Sequence, residues 1–157
     1  MKTLIVYDSQ YGNTELVAKA IEAALSGIGE ARAIRVEAMR PDSLDGVNLL
    51  ILGSPIQGWR PTEAMQTLLQ NLTAERLHGV SAACFDTRIE HPRWLAGSAA
   101  KIMARRLQSL GATVVAPPEG FYVEGTEGPL VTGEEARAAD WAVKLATQAG
   151  TSALAKR

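Results

Sequence analysis

The chain has a single cysteine, Cys84, in 157 residues. No disulfide can form within it, and such a chain suits a reducing compartment. No apolar run reaches membrane-spanning length, and the run opening "MKTLIVYD" is too short for a signal peptide. The expectation is a cytoplasmic protein with no membrane insertion. Charge of one sign is also missing: 16 basic residues face 17 acidic ones, for a net charge of −1. This argues against the broad positive footprint of a nucleic-acid binder. No cluster of His, Cys, Asp and Glu has metal-ligand spacing. No G-x-S-x-G elbow offers a hydrolase nucleophile. The sequence names no catalytic group. Apolar residues make up 46% of the chain, enough for the core of one domain over residues 1–157.

Apolar runs alternate with helix-period segments. "TLIVYD" (3–8), "GVNLLILGS" (46–54) and "VSAACFDT" (80–87) have little polar alternation, as strands buried on both faces do. "ARAIRVEA" (31–38) alternates and reads as an edge strand. "ATVVAPPEGFYV" (112–123) reads as a fifth strand interrupted by Pro117 and Pro118, which cannot donate to a ladder. Four apolar stripes mark helices. The first is Leu16, Val17, Ala20, Ile21, Ala24, Leu25 and Ile28, stopped by Gly27 or Gly29. The second is Ala64, Met65, Leu68, Leu69 and Leu72, after Pro61 and Thr62. The third is Ile102, Met103, Leu107 and Leu110, stopped by Gly111, and the fourth is Ala138, Trp141, Ala142 and Leu145. "MRPDSLD" (39–45) has room for a single turn. The pattern implies an α/β fold, a doubly wound five-stranded parallel sheet. Ligands of such sheets bind beyond the carboxyl ends of the strands.

Three loops lie there. "SQYGNT" (9–14) places hydroxyls and a glycine between a buried strand and a helix start. Backbone N–H groups and the helix dipole suit an anion, with phosphate the obvious one. The turn has neither the lysine of a Walker P-loop nor a G-x-G-x-x-G, so it would hold a phosphate rather than transfer one. The bland alternative is a capped turn, since Ser, Asn and Thr are good N-cap residues. "GSPIQGWRPT" (53–62) carries Trp59, either a stacking wall for a planar ring or a plug on the end of the sheet. "DTRIEHPRW" (86–94) offers Asp86, Thr87, Arg88, His91, Arg93 and Trp94. His91 taken alone reads as a solvated loop residue. Cys84 reads as a small apolar core residue.

In this order on such a sheet, "SQYGNTE", "LILGSPIQGW" and "CFDTR" resemble the phosphate turn and the two flavin loops of the flavodoxin family. The tail from "GSAAKIM" to "ARAADWA" is similar to small flavodoxin-domain proteins, and the resemblance covers nearly the whole chain. It implies the flavodoxin-like strand order 2-1-3-4-5, of the short-chain type, and non-covalent FMN. Ser9, Gln10, Tyr11, Gly12, Asn13 and Thr14 would hold the phosphate. Ser54, Pro55, Ile56, Gln57, Gly58 and Trp59 would border the isoalloxazine, and Asp86, Thr87 and Arg88 its pyrimidine edge. Gly58 would supply the peptide that turns over on reduction. The family usually has a third-loop tyrosine, absent here, so His91 or Trp94 would cover that face, or it stays open. Family members are typically strongly acidic. Arg60, Arg88 and Arg93 near the flavin loops, partly offset by Asp86 and Glu90, here imply a less negative second one-electron potential. The function implied is electron transfer between redox partner proteins, with a small oxidoreductase acting on a quinone-like acceptor as the alternative. A cofactor-free phospho-receiver is disfavoured: Asp8 stands alone, and "PPEG" lacks the needed lysine.

Overall fold

The computed structural model describes residues 1–90 and 98–156. Its strands are β1 (Lys2–Tyr7), β2 (Glu30–Arg35), β3 (Leu49–Pro55), β4 (Ser81–Ile89), β5 (Thr113–Val114) and β6 (Glu119–Val123). Its α-helices are α1 (Asn13–Ser26), α2 (Glu63–Asn71), α3 (Ala74–Leu77), α4 (Ala99–Ser109) and α5 (Glu134–Ala155). All strand pairings in the sheet are parallel, in the order β2-β1-β3-β4-β5. The expected order is therefore observed.

The fifth position is shared. β5 pairs with Ser81 and Ala82, and β6 with Phe85 to Ile89 further along β4. Pro117 and Pro118 fall in the gap between them, where missing N–H groups cost no ladder bonds. The expected edge strand 31–38 is shorter than its pattern: Val36–Ala38 forms a 3-10 turn. A second 3-10 turn, Pro41–Leu44, fills the short connection to β3.

Strand alternation divides the core in two. Leu4, Val6, Leu50, Leu52, Ala82 and Cys84 face Met65, Leu69, Leu77, Met103 and Leu107 of α2, α3 and α4. Ile5, Tyr7, Leu49, Ile51, Ala83 and Phe85 face Val17, Ile21, Leu25, Trp141 and Leu145 of α1 and α5. Burial on both faces is why these strands lack polar alternation. On the second face Phe85, Phe121 and Trp141 meet edge to face, with centroids 5.7–6.1 Å apart. Gly53 makes room for this trio. A Cβ there would lie 2.1 Å from Phe85 Cζ.

The helical stripes need two corrections. Leu16 and Ile28 of the first are exposed, while Ala18 is buried. Ile102 of the third is 40% exposed, although Met103 and Leu107 beside it are fully buried. The fourth stripe is buried throughout. Cys84 is buried, which pushes its thiol pKa far up and keeps it protonated.

Candidate functional site

β1 turns one way to β2 and the chain then returns to β3 on the other side, so the strand order reverses between β1 and β3. A cleft of about 350 Å³ opens at the carboxyl ends there. It is lined by Ser9, Gln10, Tyr11, Asn13 and Thr14 after β1, and by Pro55, Ile56, Gln57, Gly58 and Trp59 after β3. Thr87, Arg88 and Ile89 line it from β4, and Val123 and Thr126 from the end of β6. The volume lies within the range of small-molecule and cofactor sites, about 300–1,000 Å³.

The first loop is built around Ser9. Its Oγ accepts from Gly12 N–H at 3.0 Å and from Glu15 N–H at 3.4 Å, closing the turn. Gly12 sits at φ 94°, where a Cβ would be strained. The N–H groups of Gln10, Tyr11, Asn13 and Thr14 have no acceptor among the described residues. Four orphan donors thus converge at the start of α1, whose dipole adds positive potential. The acidic residue in that first turn is Glu15, which accepts from Tyr7 Oη at 2.7 Å and lies 3.7 Å from Arg35. Its charge is answered locally, away from the cleft. Burial, then the Glu15 bond, pushes the Tyr7 phenol up to about 12.

The loops are tied to one another. Thr14 and Thr87 share a buried hydroxyl bond of 2.8 Å, joining the first loop to β4. Gln57 Nε2 donates to Gln10 Oε1 at 2.6 Å across the mouth. Asp8 accepts from Ser9 N–H and from Thr62 Oγ1, and Thr62 in turn caps α2 by accepting from Met65 N–H. The second loop doubles back between Gln57 and Arg60, which exchange two backbone bonds. That reversal puts Gly58 at φ 54° and Trp59 at φ 71°. Trp59 is 62% exposed, so it does not plug the end of the sheet.

Three residues expected at the site serve its frame instead. Gly12 closes the turn. Ser54 is fully buried, and its Oγ accepts from Thr62 N–H at 3.1 Å. The Asp86 side chain does not line the cleft. It is fully buried, accepts from Ala100 N–H at the start of α4, and binds Arg88 by two bonds of 2.7 and 2.6 Å. That pairing holds the Arg88 guanidinium above its ordinary pKa. The offset expected from Asp86 is thus a direct ion pair with Arg88, which largely cancels that arginine's effect on the site's charge. His91, Arg93 and Trp94 lie outside the described residues. Sequence reasoning missed Ile89, Val123 and Thr126. The signal was available, since Val123 ends β6 at the same carboxyl edge.

The family model for flavodoxin matches residues 5–141. The chain belongs to the flavodoxin family. It is 30% identical over 114 residues to the flavodoxin of Megasphaera elsdenii, covering 71% of this chain and 80% of that protein. The solution structure of the two-electron reduced Megasphaera elsdenii flavodoxin aligns with a TM-score of 0.67 at 26% identity, over 90% of this chain and 98% of that one. A flavodoxin structure from the domain Archaea aligns with a TM-score of 0.81 at 19% identity, over 96% of this chain and 99% of that one, a likeness of fold.

Flavodoxins bind FMN and transfer electrons. The described residues suit that group. The four free N–H groups and the Ser9 hydroxyl form a donor set for a phosphate, and Pro55, Ile56, Trp59, Ile89 and Val123 give apolar walls for a flat ring. Among the described residues no acidic or thiol cluster could hold a metal, and no helix is long and apolar enough to cross a membrane.

Proposed function

We propose that this protein binds one FMN non-covalently in the cleft and carries electrons between redox partner proteins. The observation that carries the reading is the row of orphan N–H groups at Gln10, Tyr11, Asn13 and Thr14, set against an apolar cleft. Bound FMN supplies one- and two-electron redox chemistry.

The chain's own residues do the rest. The 9–14 turn anchors the phosphate with backbone donors, which need no lysine and leave the group unreacted. Ile56, Gly58 and Trp59 border the ring. Thr87 and Arg88 offer polar groups at its pyrimidine edge, with Arg88 held in place by Asp86. Gly58 is the residue whose peptide can turn over, because glycine has both signs of φ open to it. The apolar walls exclude water from the ring on the sides they cover.

A comparison of FMN with riboflavin tests the anchor. Two charge-assisted hydrogen bonds at about 1.5 kcal/mol each are worth roughly 100-fold in affinity. Fluorescence quenching on titration should show FMN binding at least that much more tightly. Equal affinities would mean that the 9–14 turn does not hold the phosphate.

A further inference from the structure

Beside the cleft lies a shallow hollow lined by Gly58, Trp59, Arg60, Pro61, Gln66 and Ile102. Two large apolar residues share it in the open, Trp59 at 62% and Ile102 at 40% exposure. Single exposed apolar residues need no explanation, but two around one hollow do. Neither is there for lack of order. Trp59 is held out by the paired bonds between Gln57 and Arg60, and Ile102 stands on a regular helix.

The charge around the hollow is mostly of one sign. α4 carries Lys101, Arg105 and Arg106, all exposed, and no acidic residue. Lys101 and Arg105 flank Ile102, one position before it and three after. The second loop adds Arg60, also exposed. On the elements that form the hollow, namely the second loop, α2 and α4, the acidic residue is Glu63. Across the cleft the rim is opposite in sign: Glu124 and Glu127 are exposed, and the Glu127 carbonyl accepts from Asn13 Nδ2. Exposed cations thus cluster beside the hollow, and exposed carboxylates stand on the rim across the cleft from it.

We propose that this face is the docking surface for an acidic redox protein, one that seats an apolar side chain between Trp59 and Ile102 within a ring of carboxylates. The proposal rests on the electron-carrier reading above. Gly58 and Trp59 line both the hollow and the cleft, so a partner seated here touches the wall of the cofactor site. Complementary charge raises the encounter rate and fixes orientation, while the small apolar contact lets the complex come apart quickly.

The FMN-loaded protein is tested against two carriers of opposite charge. One is a strongly acidic plant-type ferredoxin and the other the strongly basic mitochondrial cytochrome c. With oxidised ferredoxin at low salt, no electron moves. NMR signals of Trp59, Arg60, Lys101, Ile102 and Arg105 should then shift or broaden, and recover as salt is added. Stopped-flow transfer of one electron from reduced ferredoxin to the oxidised flavoprotein should slow at least tenfold at low salt in K101E/R105E. Transfer to cytochrome c should speed up in the same variant. Both residues are exposed and away from the cleft, so FMN affinity should be unchanged, and K101A/R105A should show a smaller effect in the same direction. NMR changes confined to other faces, or an unchanged ferredoxin rate in both variants, would overturn the proposal. Failure of the wild-type protein to bind FMN would instead strike the carrier reading, since the NMR mapping needs no electron transfer.

Discussion

Removing the Trp59 side chain tests whether this residue is a wall of the cofactor site or only a feature of its loop. A tryptophan presents up to about 250 Å². At 62% exposure about 150 Å² of Trp59 is open to solvent. A flat ring laid on one face covers about half of that. At about 25 cal/mol per Å² the contact is worth roughly 2 kcal/mol, or about 30-fold in Kd. W59A should therefore bind FMN about 30-fold more weakly by fluorescence titration, and W59F should fall between. The backbone supplies a control. Trp59 occupies φ 71°, a left-handed conformation that costs a non-glycine residue about 1–2 kcal/mol. W59G relieves that cost, so urea unfolding of the FMN-free protein should show W59G more stable than W59A. Its FMN affinity should nonetheless be as poor as that of W59A, because both lack the ring. A W59A affinity within twofold of wild type would refute the stacking role. A W59G affinity equal to wild type would show that only the loop's conformation matters.

Three other outcomes follow from the same structure. G53A should lose at least about 1–3 kcal/mol in denaturant unfolding, since its Cβ would sit 2.1 Å from Phe85 Cζ in a packed aromatic trio; a loss under about 0.5 kcal/mol would contradict the packing. Glu134 accepts from Arg137 and from Tyr122 N–H, and the Arg137 bond holds its carboxyl below the ordinary range against the effect of burial. A lowered folded-state pKa gives stability that is present above the unfolded value and lost as pH falls through the folded one. E134Q should thus cost about 1–3 kcal/mol at neutral pH and progressively less in acid, as read by urea unfolding; a gap independent of pH would rule out the ionic contribution. With Arg88 offset by Asp86, Arg60 is the free cation among the described residues beside the flavin loops, so R60Q should make the second one-electron potential of the FMN-loaded protein more negative by tens of millivolts. Potentiometric titration reads this directly, and an unmoved potential would remove the electrostatic account.

What could be read from the sequence was whatever one element decides alone. β1, β3 and β4 are buried on both faces, so their composition announced them, and the loops at their carboxyl ends followed from the sheet's topology. Asp86 could not be read in this way. Its partners Ser98 and Ala100 lie 12 and 14 residues on, and only folding shows that its carboxylate faces the start of α4 while Thr87 beside it faces the cleft. The sequence could set Asp86 against the arginines of the third loop but could not say which one it pairs with. Folding brings that carboxylate, fully buried, onto the half-buried Arg88.

Ile102 shows the limit from the other side. Grouping it with Met103 and Leu107 neglects the helix geometry: at about 100° per residue it stands roughly 100–140° around from them, off the buried face. α4 packs over β3, β4 and β5 through a strip centred on Met103 and Leu107, and Ile102 stands off that strip, sharing the hollow with Trp59. At 40% exposure Ile102 keeps a large apolar surface in the open among cations, more than its packing in the isolated chain uses. On the proposed docking face it would be a contact for another molecule, and the hollow it shares with Trp59 brings that contact to the edge of the cleft.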